Sequence, residues 1–235
     1  MLNRKHAIAS LGSLLADPGR SAILMSLLHD RSLSAGDLAR AAAISPQSAS
    51  AHLAKLTRGG LIVARTEGRR RYYKLSSAKV AYALEALGAI GTVSATINHT
   101  RQKVDEQMML ARSCYDHMAG RIAVMLTERM EEKRILAAAG QGDYRVTTRG
   151  REWFADMGIR VDELHSSRRV FARRCLDWTE RRPHLAGAVG SALLGHFLQD
   201  GWVARIGHGR VLRVTHKGVA KFAALGLKER ELRAV

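Results

Sequence analysis

Two sets of residues in this chain have types and spacings that could do chemistry. The first is polar and basic: Gln47, Ser48, Ser50, His52 and Lys55 lie close together, and Arg65, Arg69, Arg70 and Arg71 follow them. Amide and hydroxyl side chains on a helix that enters a major groove hydrogen-bond to base edges, and arginines beside it reach phosphates or the minor groove. The second set is thiols and imidazoles. Cys114 and His117, with Cys175 and His184, are the candidates for an effector or redox site. A Cys114 thiolate favoured by His117, Arg112 and Arg121 would be a nucleophile toward oxidants and thiol-reactive compounds. Read on one helix, Cys114 and His117 share a face, which permits a zinc pair but supplies half of a four-ligand site, so no metal site is expected. Cys175, on a face with Leu164, Phe171 and Trp178, is expected to be buried and inert.

Catalysis finds little support. The sequence has no Gly-rich phosphate loop, nucleophile elbow or paired-carboxylate motif, and Cys114 with His117 lacks a third group to orient it. Neither an enzyme nor a cofactor is expected.

The elements that must position these residues are legible in the apolar spacing. Ile8, Leu11, Leu14 and Leu15 share a helical face, Asp17-Pro18 ends that helix and opens another with Ile23, Leu24, Leu27 and Leu28, and Ser34 with Asp37 caps a third. Ser45 caps a fourth helix with Pro46 at its first position, and Gly59-Gly60 ends it. Ala49, Leu53 and Leu56 then face inward, leaving Gln47, Ser48, Ser50, His52 and Lys55 outward. Leu61 to Val63, a turn at Glu67-Gly68 and a return from Arg69 to Leu75 read as a two-stranded wing. From Ser77 a long helix is predicted, with Val80, Leu84, Leu87, Ile90, Val93, Ile97, Val104 and Met108 on a stripe that asks for a partner chain.

Composition narrows the class. The 235 residues are 46% hydrophobic and 25% charged, with mean hydropathy −0.14, which excludes disordered and fibrous chains. No apolar run approaches the roughly 18 residues a membrane span needs. Two cysteines match no disulfide framework, and a soluble, cytoplasmic protein is the expectation. The formal charge of +17 points to a polyanion.

Leu15-Ala16-Asp17-Pro18-Gly19-Arg20 with Ile23-Leu24, Ser50-Ala51-His52-Leu53, Leu56, Gly60-Leu61 and Gly68-Arg69-Arg70-Arg71-Tyr72-Tyr73-Lys74-Leu75 follow a known pattern in order. In these, residues 6–76 resemble the ArsR/SmtB metal-sensor-like bacterial repressors. The resemblance implies a homodimer that binds a palindromic operator in double-stranded DNA and leaves it when an effector binds. It also implies that the long helix dimerises. The metal sites of that family are not reproduced: Ser34-Ala35-Gly36-Asp37-Leu38 stands where some members carry cysteines, and His99, Asp105, Cys114 and His117 miss the other spacing.

The remainder contains an internal repeat. His117-Met118-Ala119-Gly120 recurs as His184-Leu185-Ala186-Gly187, Gly140-Gln141-Gly142 as Gly207-His208-Gly209, Arg145-Val146-Thr147 as Arg213-Val214-Thr215, and Phe154 and Gly158 as Phe222 and Gly226. Each copy reads as helix, glycine-tipped hairpin and short helix, joined by a helix over about Val161 to Glu180. A cleft between the copies, with Trp153, Trp178 and Trp202 near it, is a natural ligand pocket. The fold expected is mainly α with small β-hairpins (α+β), in three parts: a winged helix-turn-helix over 1–76, a dimerisation or linker helix over 77–115, and an effector-binding domain of two helix-hairpin-helix repeats over 116–235. The function expected is a homodimeric repressor released from its operator by an unknown small-molecule or thiol-reactive effector. A metal-dependent ArsR-type repressor and an architectural DNA-coating protein are the alternatives.

Overall fold

The computed structural model describes residues 4–28, 32–90, 106–166, 170–207 and 209–232. The chain divides into two compact units, Met1–Leu84 and Glu85–Val235.

In the first unit, α1 (Arg4–Leu15) and α2 (Pro18–Ser26) are followed by the two-residue strand β1 (Leu33–Ser34), α3 (Ala35–Ala41), α4 (Pro46–Arg58), β2 (Ile62–Glu67) and β3 (Arg70–Leu75). Local chemistry sets the starts of α2, α3 and α4. Asp17 accepts from the Arg20 amide, Ser34 from Asp37 and Ser45 from Ser48, with proline in the first turn of α2 and α4. Each such cap contributes about 1 kcal/mol. The wing turns at Gly68, whose φ of 59° suits the first central residue of a two-residue hairpin loop. β2 pairs in register with β3 from Ile62 opposite Leu75 to Glu67 opposite Arg70, and β1 adds to the other edge of β3 through Leu33 and Ser34. The core is one layer of Ile23, Leu24, Leu27, Leu28, Leu38, Leu53, Leu56 and Ile62. This is a winged helix-turn-helix, and β1, too short to carry a pattern, is its one strand that sequence reasoning missed.

The predicted long helix is realised as α5 (Ala78–Ile90). Val93, Ile97 and Val104 lie outside the described residues, and 106–110 are helical again. Beyond that point the expectation fails. Arg112 to Cys114 form a strand, so the stretch 77–115 is not a helix to its end, and Cys114 and His117 do not lie on one helical face.

In the second unit, residues 112–166 run through β4 (Arg112–Cys114), β5 (His117–Ala119), α6 (Arg121–Glu132), β6 (Leu136–Ala139), β7 (Asp143–Val146), α7 (Thr148–Asp156) and a 3-10 turn at Val161–Ser166. Residues 173–231 run through the same order: β8 (Arg173–Leu176), β9 (Pro183–Ala186), α8 (Gly187–Gln199), β10 (Val203–Arg205), β11 (Leu212–Val214), α9 (His216–Ala224) and a 3-10 turn at Glu229–Glu231. Two readings from the sequence are corrected here. A hairpin precedes each long helix, and the connecting helix expected over Val161 to Glu180 is a 3-10 turn followed by β8.

Matching glycines permit matching close approaches. A Cβ on Gly150 would sit 2.2 Å from the Ile135 carbonyl oxygen, and one on Gly218 1.9 Å from that of Trp202. The two halves also exchange strands. β7 pairs with β8 at Asp143 and Arg173, and Arg112 of β4 bridges to Val211, flanked by Leu212 N–H donating to the Ala111 carbonyl at 2.9 Å. Between α6 and α8 the side chains of Met118, Leu126, Met130, Leu185, Leu194 and Phe197 leave a cavity of only about 10 Å³, at the limit of one water. The space between these two helices is therefore filled. The indoles part company too: Trp202 is buried and stacked on Phe197, Trp153 meets Phe154 edge-on, and Trp178 lies under the Arg112 guanidinium.

Candidate functional site

The first candidate surface is α4 with the wing. Burial of Ala49, Leu53 and Leu56 fixes the rotation of α4, and Gln47, Ser48, Ser50 and Lys55 are exposed on its other side. Their hydroxyls are locally engaged. Ser45 Oγ donates to Ser48 Oγ at 3.0 Å, and Ser50 Oγ donates back to the Pro46 carbonyl at 3.0 Å. Gln47 is thus the longest uncharged side chain exposed at the start of the helix.

His52 does not belong to this face. Its side chain is 17% exposed and turned inward, Nε2 lying 3.6 Å from the Asp17 carboxylate that caps α2. The Asp17 carboxyl is held below its ordinary pKa by the Arg20 amide first and by His52 and Arg20 with it. The outward assignment of His52 is therefore corrected to a contact between α4 and the start of α2.

On the wing, Arg65, Arg69, Arg70 and Arg71 are all exposed. Alternation along a strand sends Arg70 and Arg71 to opposite faces, Arg71 lying toward the ring of Tyr73 with its guanidinium carbon 5.8 Å from the centroid. Arg65 is ion-paired with Glu67. The positive charge thus concentrates at the tip, on Arg69, Arg70 and Arg71.

The second candidate site lies within the second unit, where all four sequence-predicted effector residues come together. Cys114 and His117 are directly opposite each other across β4 and β5, and Cys175 and His184 across β8 and β9. Their side chains are buried, and one ligand atom from each falls within 4.8 Å of all the others. The two sulfurs are 3.9 Å apart and the two Nε2 atoms 3.1 Å apart. The other ring nitrogens face carboxylates: His117 Nδ1 lies 3.2 Å from Asp116 and His184 Nδ1 3.4 Å from Asp177.

Burial is complete at Cys114 and pushes its thiol well above the ordinary range, its contact with Cys175 adding to the effect. The favoured Cys114 thiolate, which would need an exposed site, is thereby corrected to a buried thiol.

Asp177 was not singled out from the sequence, yet it organises the site. It accepts from Arg112 Nη2 at 2.8 Å, the Gly120 amide at 2.7 Å, and the Thr179 amide and hydroxyl at 2.9 and 2.7 Å. Burial would raise its pKa, but His184, the Arg112 charge and the Gly120 amide outweigh that and hold the carboxyl far below the usual range. A signal for it exists. Cys114-Tyr115-Asp116 recurs as Cys175-Leu176-Asp177, but the first hairpin turns at once into His117 whereas the second carries a longer turn before His184.

Comparison with known proteins agrees with the first surface. A helix-turn-helix domain model matches residues 15–65. An uncharacterized HTH-type transcriptional regulator of Bacillus subtilis (strain 168), YdfF, is 40% identical over 215 residues, which is 92% of this chain and 95% of that protein. The HTH-type transcriptional regulator CmtR of Mycobacterium tuberculosis (strain ATCC 25618 / H37Rv) is 42% identical over 84 residues, 36% of this chain and 70% of CmtR. Among solved structures, HlyU from Vibrio cholerae N16961 is 34% identical, covering 38% of this chain and 97% of its own, with a TM-score of 0.35.

Proposed function

Because the chain belongs to the HTH-type transcriptional regulators, we propose that it is a homodimeric repressor that reads a palindromic operator with α4 and the wing and releases it when an effector acts on the second unit. The observation that carries this reading is the wing tip: three consecutive exposed arginines follow a helix whose outward face offers Gln47, Ser48, Ser50 and Lys55. Gln47 and Ser50 read base edges, Ser48 and Lys55 hold the helix in register, and Arg69, Arg70 and Arg71 neutralise phosphates or enter the minor groove. A net charge of +17 draws the protein to DNA whatever its sequence.

Dimerisation is supported by the family resemblance and by exposed apolar side chains. Ile8 and Leu11 on α1 are 72% and 41% exposed, and Leu87 on α5 is 49% exposed. The domain roles follow: residues 1–76 bind DNA, 77–115 contribute to the dimer, and 116–235, a duplicated unit, take the effector.

Footprinting on fragments from the chain's own genomic neighbourhood tests the proposal. A single protected palindrome is the expected result. Even protection along every fragment would instead mark a DNA-coating protein.

A further inference from the structure

We propose that Cys114, His117, Cys175 and His184 form a closed four-ligand site for a thiophilic divalent cation of the zinc class. The inference goes beyond the DNA-binding reading and does not depend on it.

Geometry comes first. A tetrahedral centre with arms of about 2.3 Å to sulfur and 2.0–2.1 Å to nitrogen has S···S and N···N edges of about 3.8 and 3.3 Å. The distances here are 3.9 Å between the sulfurs and 3.1 Å between the Nε2 atoms. All four ligand atoms sit within 4.8 Å of one another, on side chains that are all buried.

The imidazoles supply a second, independent reason. Each Nδ1 faces a carboxylate, Asp116 for His117 and Asp177 for His184. A carboxylate at Nδ1 holds the proton there and leaves the lone pair on Nε2, which is how metal-bound histidines are oriented. Both Nε2 lone pairs then point into the same small space. Two lone pairs 3.1 Å apart repel unless a cation lies between them.

Charge closes the argument. As the two metal–sulfur bonds form, two thiol protons leave to water, and a divalent ion with two thiolates and two neutral imidazoles has no net charge. Burying it strands no charge in the interior, whereas two buried thiolates alone would. With every position filled by protein, no site is left for substrate or water, so the ion is structural in kind: it pins the β4–β5 hairpin to β8–β9.

Metal analysis of the full chain, purified under reducing conditions without chelator, tests the inference. One equivalent of zinc per chain is expected. X-ray absorption at the zinc edge should report two sulfur and two nitrogen neighbours. Cobalt substitution should give tetrahedral d–d bands and thiolate charge transfer. The paired variant Cys114→Ser/Cys175→Ser should lose the ion, and chelator stripping of the wild type should lower its melting temperature. A misfolded double variant would also lose the ion, so the spectroscopy on the intact protein decides. A full chain that takes up no zinc on refolding in its presence overturns the proposal, as does an octahedral, sulfur-free cobalt spectrum or a double variant that retains the ion.

Discussion

At the scale of single residues, the two candidate sites make different demands on their side chains. A base reader must be free to leave its local partner. Ser50 donates to its own helix and must give that bond up, while Gln47 is exposed at the start of α4. Gln47→Ala is therefore expected to relax sequence preference by about 1–3 kcal/mol per lost base contact, with affinity for random DNA unchanged. Competition binding with operator variants checks it; equal weakening on operator and random DNA would remove Gln47 from readout. A buried organiser has the opposite requirement. Asp177 accepts from the fully buried Arg112 and from backbone amides at Gly120 and Thr179. Asp177→Asn leaves the Arg112 charge without its counter-ion and is expected to cost about 3–5 kcal/mol, measured by denaturant unfolding of the full chain. A loss within the range of an ordinary surface substitution would show that Arg112 has found another partner.

At the scale of elements, what could be read from the sequence was whatever nearby residues decide. Helices α1 to α4 announce themselves by apolar spacing and by Asp17, Ser34 and Ser45 at their starts, and the wing by Glu67-Gly68. The second unit's first hairpin in each half did not, for a definite reason. A spacing of three places Cys114 and His117 on one face of a helix, but it also places them opposite each other across a two-residue turn. Tyr115 takes that turn with a φ of 55°, a conformation no sequence pattern demanded. Strands as short as Arg112–Cys114 carry too little alternation to break the tie. Glycines are a better guide only where they mark backbone contacts: Gly120 and Gly187, matched from the sequence, do so, as do Gly150 and Gly218, which that matching passed over. Gly218→Ala would drive a methyl into the Trp202 carbonyl and is expected to destabilise the second unit by about 1–3 kcal/mol. Gly195→Ala, with open space around its Cβ, is the control that should leave the melting temperature unchanged or raise it.

At the scale of the whole molecule, affinity for DNA is a sum over charges and copies. Replacing Arg69, Arg70 and Arg71 together with Ala is expected to flatten the dependence of affinity on salt by roughly one unit of slope per lost phosphate contact. A titration at several ionic strengths reads this directly. Leu87→Glu, on an exposed apolar position, is expected to dissociate the dimer and lose the operator together, whereas Leu84 is buried within the chain and a change there would confound folding with assembly. Sedimentation alongside gel shift separates the two effects, and a monomer that still binds the full palindrome would count against a dimeric reader. The exchange of strands between the halves of the second unit bears on how the protein is made. β7 finds its neighbour in β8, and β4 finds the Val211 bridge near the far end of the chain. At roughly 5–20 residues per second, a ribosome exposes β4 several seconds before that bridge exists. For most of that interval Cys114 and His117 stand in the growing chain without Cys175 and His184, so chaperones, oxidants and metal ions meet this half of the site before its other half is made.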